Sequence, residues 1–143
     1  MIDREVVLIR IAAIQDRVKL LRKIKATSAE QLASDPMKLS ASERLVQVSM
    51  QSVIDISSHI VAALHAQMPK ELRDLPETLK KLGILPPDLA SELSSMIGMR
   101  NILVHQYIDI DVYKLHDVIE NHLGDFDEFI RYIVAYMEKE GLT

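Results

Sequence analysis

Apolar residues recur every three to four positions along almost the whole chain, and they nowhere settle into strict alternation. Strand signals are nearly missing, and there is no Asn-Gly hairpin. The pattern predicts an all-α protein, an up-and-down bundle of about five helices. Residues 2–26 read as a first helix, with Ile2, Val6, Ile9, Ala13 and Leu20 among its buried positions. Ser28-x-x-Gln31 predicts a capped short continuation before Asp35-Pro36 interrupts it. Ser40-Ala41-Ser42-Glu43 reads as a capping box that opens a long helix to about Met68, where Pro69 follows. Asp74-Leu75-Pro76-Glu77 starts a short helix closed by Gly83, and Pro86-Pro87-Asp88 opens the next. Asp111 is a natural N-cap for a last helix through about Glu138, with Leu115, Val118, His122, Phe126, Phe129, Ile133 and Met137 facing inward. No internal repeat or low-complexity stretch is present.

A chain of 143 residues is expected to form one domain, residues 1–143, with a core large enough to fold without staples. Cysteine is absent, which excludes a disulfide framework, a thiolate metal site and a thiol nucleophile. No segment approaches the ~18 apolar residues of a membrane span. The charged start, Met1-Ile2-Asp3-Arg4-Glu5, is not a signal peptide. A soluble, cytoplasmic protein with no membrane partner is the expectation. The sequence also lacks a glycine-rich phosphate loop, a nucleophile elbow and a dinucleotide fingerprint, and no cofactor is expected.

The net charge of −4 does not advertise nucleic-acid binding, but its distribution is uneven. Residues 1–25 carry Arg4, Arg10, Arg17, Lys19, Arg22, Lys23 and Lys25 against Asp3, Glu5 and Asp16. Residues 109–140 carry nine acids against Lys114, Arg131 and Lys139. A basic first helix can track a phosphate backbone, with Arg22 and Lys23 as candidate contacts; the alternative is an ordinary solvated face. With four Tyr, two Phe and no Trp, an aromatic base-stacking platform is not expected.

The strongest candidate chemistry lies in Arg100-Asn101-Ile102-Leu103-Val104-His105-Gln106-Tyr107. Arg100 supplies a permanently charged planar fork that matches phosphate oxygens. His105 supplies a group able to act as base and acid near neutrality. The pair suits phosphodiester cleavage, in which a hydroxyl loses its proton while charge builds on a phosphoryl group. At 100° per residue, Leu89, Leu93, Met96, Arg100, Leu103 and Tyr107 fall within about 40° of one line, so Arg100 sits in an apolar stripe. An Arg there must be paired or must serve an anion. Its structural alternative is a pair with Asp55 or a C-terminal acid. His105 lies about 140° away, on a face with Asn101, Gly98, Ser94 and Ser91. Convergence of Arg100 and His105 therefore requires a bend near His105 or a cleft assembled from two chains.

The octet resembles the Arg-x4–6-His signature of HEPN domains. In its fuller form, Arg-Asn-x-x-x-His-x-Tyr, it is similar to HepT-like toxins paired with a minimal nucleotidyltransferase antitoxin. Ile54-Asp55-Ile56-Ser57-Ser58-His59-Ile60 and His122-Leu123-x-Asp125-Phe126-x-x-Phe129-Ile130 extend the likeness over nearly all of the chain. The resemblance implies a homodimeric, metal-independent endoribonuclease of a type VII-like toxin–antitoxin pair. It assigns catalysis to Arg100 and His105 with Asn101 in support, and implies AMP transfer by the antitoxin onto Tyr107. A partly buried structural Tyr107 is the alternative to that modification. The alternative to catalysis is a non-catalytic HEPN module that uses the same cleft to bind a nucleotide or the nucleotidyltransferase.

Weaker groupings remain. Asp55 and His59 are four apart on one helix face and are expected to hydrogen-bond, in a supporting role or as an interior pair. His116 and Glu120 are four apart with His122 near, but two ligands at such spacing are common by accident and no third is evident, so no metal is expected. Asp109, Asp111, Asp125, Asp127 and Glu128 cap or follow helix ends and do not form a calcium loop. His65 has no evident partner and is expected in solvent.

Overall fold

A computed structural model describes residues 1–25, 27–104 and 111–142. Among these residues the chain is all-helical, with seven α-helices and one 3₁₀ turn. They are α1 (Arg4–Ile24), α2 (Ala29–Ser34), α3 (Pro36–Ala63), α4 (Leu75–Lys81), α5 (Pro87–Val104), α6 (Val112–Asn121) and α7 (Leu123–Lys139). The 3₁₀ turn, Leu72–Asp74, leads directly into α4. More helices form than the about five expected, because the short continuation is a separate α2 and the last helix divides into two.

Local chemistry sets most of these ends. Asp3 caps α1 by accepting from the backbone N–H groups of Glu5 and Val6. Ser28 and Gln31 form the expected reciprocal box at α2, each bond 3.1 Å long. Asp111 caps α6, accepting from the Tyr113 N–H at 2.9 Å. Gly83, with φ +78°, ends α4 in the left-handed turn that glycine adopts without a Cβ penalty. His65 adopts the same conformation (φ 56°) after α3, where the N–H of Ala66 reaches back to the Val61 carbonyl. It is exposed, as expected.

α3 is the central helix, packed by α1 and α5 and also touched by α2 and α4. Val46, Met50, Val53, Ile54, Ile56, Ile60 and Val61 bury around much of its circumference. Serines at 42, 49, 52 and 57 are buried among them, small enough to let neighbouring helices approach. α7 contributes Phe126 and Phe129, both fully buried.

Three expectations need correction. α3 begins at Pro36, ahead of the Ser40–Glu43 box, because Asp35 accepts from the Lys38 N–H at 3.1 Å and Pro36 has no N–H to satisfy. It ends at Ala63, well before Met68. On α1 the buried stripe is Val7, Ile11, Ile14, Val18 and Leu21, whereas Val6, Ile9 and Leu20 are exposed and Ala13 is half-buried. The helix is apolar on two adjacent faces, and only packing against α3 decides between them.

The third correction is the break between α6 and α7 at His122, where φ is −122° and ψ 6°. Its Nδ1 lies 3.0 Å from Asp125 Oδ2 and 3.5 Å from Glu92 Oε2, and its Nε2 lies 3.3 Å from Asp117 Oδ2. One imidazole thus ties α5, α6 and α7 together. Neither His116 nor Glu120 joins it; His116 Nε2 faces the Thr27 carbonyl at 2.7 Å. Partial burial alone would lower the His122 pKa. The hydrogen bond to Asp125 and the charges of Asp125, Glu92 and Asp117 outweigh it and hold the pKa above its ordinary value.

A proton on His122 therefore stabilises the fold. Its contribution is complete below the unfolded pKa of about 6.5 and disappears as pH rises through the elevated folded value. Thermal unfolding of wild type and His122→Gln should show the larger gap in Tm near pH ~6, closing by pH ~9. A gap that stays constant, or widens with pH, would contradict the protonated clamp.

Candidate functional site

Leu89, Leu93 and Met96 are buried on the stripe of α5 that points into the bundle. The next turn of that stripe presents Arg100, which is half-buried. Its aliphatic stem continues the apolar face while the guanidinium reaches polar partners. Arg100 Nη1 donates to Asn101 Oδ1 at 2.9 Å, and Nη2 donates to Gln51 Oε1 on α3. Its buried Nε has no hydrogen-bond partner. Gln51 Nε2 in turn donates to Asp55 Oδ1 at 2.8 Å, and Asp55 Oδ2 lies 3.5 Å from Arg10 Nε on α1. A polar chain, Asn101–Arg100–Gln51–Asp55–Arg10, thus crosses from α5 over α3 to α1.

Among the described residues, the acceptors of Arg100 are both neutral amides. Among the described residues neither Asp55 nor a C-terminal acid takes the guanidinium, as its structural alternative required. Gln51 stands between Arg100 and Asp55 and keeps the two charges from meeting. A cation partly removed from water and given no counter-charge among the described residues is suited to an anion.

Asp55 and His59 do not bond to each other, contrary to expectation. Each finds a partner on the α1 side: Asp55 faces Arg10, and His59 Nε2 accepts the backbone N–H of Asp3 at 2.8 Å. The antiparallel packing of α1 on α3 offers both a better-placed partner than the next turn of their own helix. Asn101, expected to serve His105 or a phosphate, spends its carbonyl on Arg100 and keeps its Nδ2 amine to donate elsewhere.

His105 and Tyr107 lie outside the described residues. Arg22 is far from this network, about 18 Å along α1 from Arg10, and pairs with Asp127 on α7. Lys23 beside it is exposed. The residues that sequence reasoning missed are Gln51 and Arg10. The Gln51–Asp55 spacing, one helical turn on α3, was the available signal.

Helices packed about a central α3, with a charged Arg at the end of an inward stripe, define the class as an all-α bundle with an anion-binding feature at one helix end. The model of the family described as ribonuclease HepT-like matches residues 14–133. The chain belongs to the ribonuclease HepT-like family. It is 32% identical over 117 residues to a protein named tRNA nuclease HepT from Aphanizomenon flos-aquae, covering 82% of this chain and 80% of that one. A protein named mRNA nuclease HepT from Shewanella oneidensis is also 32% identical, over 90 residues covering 63% of this chain and 68% of the relative. Among solved structures, the tri-AMPylated HEPN toxin of Shewanella oneidensis in complex with its MNT antitoxin superimposes with a TM-score of 0.83. It is 27% identical, and the match covers 91% of this chain and 97% of that one. A toxin–antitoxin structure with AMP-PNP gives a TM-score of 0.84 at 26% identity, covering 92% and 98%. No helix among the described residues is long and apolar enough to cross a membrane.

An Arg held on an apolar stripe without a carboxylate contributes little stability, so its replacement should be tolerated. Arg100→Met should be no less stable than wild type in denaturant unfolding, and up to about 1 kcal/mol more stable. A loss above about 1 kcal/mol would make the guanidinium a structural element.

Proposed function

We propose that this chain is the toxin of a toxin–antitoxin pair, a metal-independent endoribonuclease acting as a homodimer in the cytoplasm. The observation that carries the reading is Arg100, half-buried and answered, among the described residues, by the neutral amides of Gln51 and Asn101 and by no carboxylate. Membership of the ribonuclease family and the nuclease names of its relatives support it.

In the proposed reaction His105 removes the proton of a ribose 2′-OH. The 2′ oxygen attacks the adjacent phosphorus, the 5′ oxygen leaves and takes up a proton, and a 2′,3′-cyclic phosphate remains. Arg100 holds the non-bridging oxygens and stabilises the charge that grows on them. The required 2′-OH confines the reaction to RNA. Asn101 fixes one edge of the guanidinium, and Gln51 fixes the other. Asp55 acts at one remove by orienting the Gln51 amide, while His59 holds the start of α1.

A homodimer is supported by the second apolar stripe of α1, since a single chain leaves Val6, Ile9 and Leu20 exposed. Two chains would also supply the composite cleft that the spacing of Arg100 and His105 in the sequence calls for. The partner is a nucleotidyltransferase antitoxin, the kind of protein found with the structural neighbours. It would transfer AMP from ATP to the Tyr107 hydroxyl with loss of pyrophosphate. The added phosphodiester, beside Arg100 in sequence, would compete with RNA for the guanidinium. Arg22 and Lys23 are retained as outlying RNA contacts on the basic helix, although Arg22 would first have to leave Asp127.

Induction of wild type, Arg100→Ala and His105→Ala in a bacterial host without antitoxin tests this reading. Wild type should arrest growth, both variants at equal protein level should not, and the purified wild type should cleave RNA in the presence of a chelator. The His105→Ala rate should fall by roughly 10²–10⁴-fold. Harmless wild type, or an equally toxic His105→Ala, would overturn catalysis and leave a binding module.

A further inference from the structure

The face between α1 and α3 carries a cavity of about 340 Å³, lined by Arg10, Arg44, Gln47, Val48, Gln51 and Ser52. No carboxylate lines it, whereas three other surface cavities each include one: Glu92 and Asp117, Asp74 and Glu77, or Asp35. Arg10 is fixed at Nε by Asp55, which leaves both its Nη groups to donate elsewhere. Arg44 is exposed and makes no ion pair among the described residues. Gln51 is common to this cavity and to Arg100, because its Oε1 accepts from Arg100 Nη2. Gln51 thus bonds one guanidinium and shares the cavity with two more, and among the described residues Asp55 is the one carboxylate joined to this network. The surplus is positive on a protein whose net charge is −4.

We propose that this cavity is a phosphate subsite that holds the RNA phosphate next to the one gripped by Arg100. Arg10 and Arg44 supply the charge, and the side-chain amide of Gln47 supplies a neutral donor. The proposal rests on the ribonuclease reading. It adds residues from α1 and α3 that are absent from the Arg100–Tyr107 octet, and it moves the principal RNA contact on α1 from Arg22 to Arg10. Since the contacts go to phosphate, the subsite contributes affinity and register without reading base sequence.

The test is binding of a single-stranded 2′-O-methyl oligoribonucleotide, which cannot be cleaved, followed by fluorescence anisotropy across a salt series. Each phosphate contact on a single strand contributes about 0.7 to the slope of log K against log salt. Arg44→Gln should reduce the slope by about 0.7, and Arg10→Gln with Arg44→Gln by about 1.4. Affinity at low salt should fall several-fold in both. Arg44→Lys should keep the slope, since a point charge suffices for a phosphate. Arg131→Gln, on the acidic α7, should change nothing. Wild-type binding whose slope is the same in every variant would overturn the subsite and leave the ribonuclease reading intact. Wild type that binds no RNA would overturn both. Competition by AMP at concentrations matching the oligonucleotide would assign the cavity to a mononucleotide and overturn the RNA assignment.

Discussion

The bond between Arg100 and Gln51 is the contact on which the rest of the site depends. It joins the inward stripe of α5 to the central helix through a neutral amide. An acid at position 51 would satisfy the guanidinium better and would consume the charge that makes it useful. An apolar residue would leave a half-buried cation with Asn101 as its one acceptor. A neutral amide accepts one N–H while leaving the charge uncancelled. Its other end then holds Asp55 at one remove, so that carboxylate supports the site without entering it.

Much of this was legible from the chain, and the limits have physical causes. The capping box at Ser28–Gln31, the Asp111 cap and the Gly83 stop follow from side chains acting on backbone within four residues, and such chemistry is visible in sequence. The face that α1 buries is not local. Val6, Ile9 and Leu20 form as good a stripe as Val7, Ile11 and Leu21, and only the presence of α3 on one side chooses between them. The start of α3 was misplaced because two capping signals lie close together, and Asp35 with Pro36 at N1 prevailed over Ser40. The break at His122 is tertiary as well, since one of the carboxylates that grip its ring, Glu92, comes from α5.

The candidate site divides in the same way. Arg100 stood out because a charge on an apolar stripe demands an explanation wherever it is found. Gln51 did not stand out, because a glutamine on a long helix is unremarkable until the residue across the groove is known. Asp55 and His59 were seen as a pair on one face, and the face was correct. Their partners were not, because α1 runs antiparallel along α3 and offers Arg10 and the Asp3 N–H in turn. Intrahelical spacing identifies residues that share a surface. It does not identify what that surface meets.

The charge distribution also acquires a structural reason. α6 and α7 carry more acids than bases, and several of those acids are occupied: Asp125 and Asp117, with Glu92 of α5, around His122, Asp127 on Arg22, and Glu128 on Arg131. One of these contacts uses Arg22, a basic residue toward the far end of α1. The near end of α1, at Arg10, is left facing Asp55 and the amides of Gln47 and Gln51. A protein of net negative charge can still present a local positive surface where its basic side chains outnumber the acids beside them. A polyanion approaching such a molecule meets repulsion from α6 and α7 and attraction at the α1–α3 groove. The field that lowers overall affinity thus also restricts the approach to the side on which Arg100 waits.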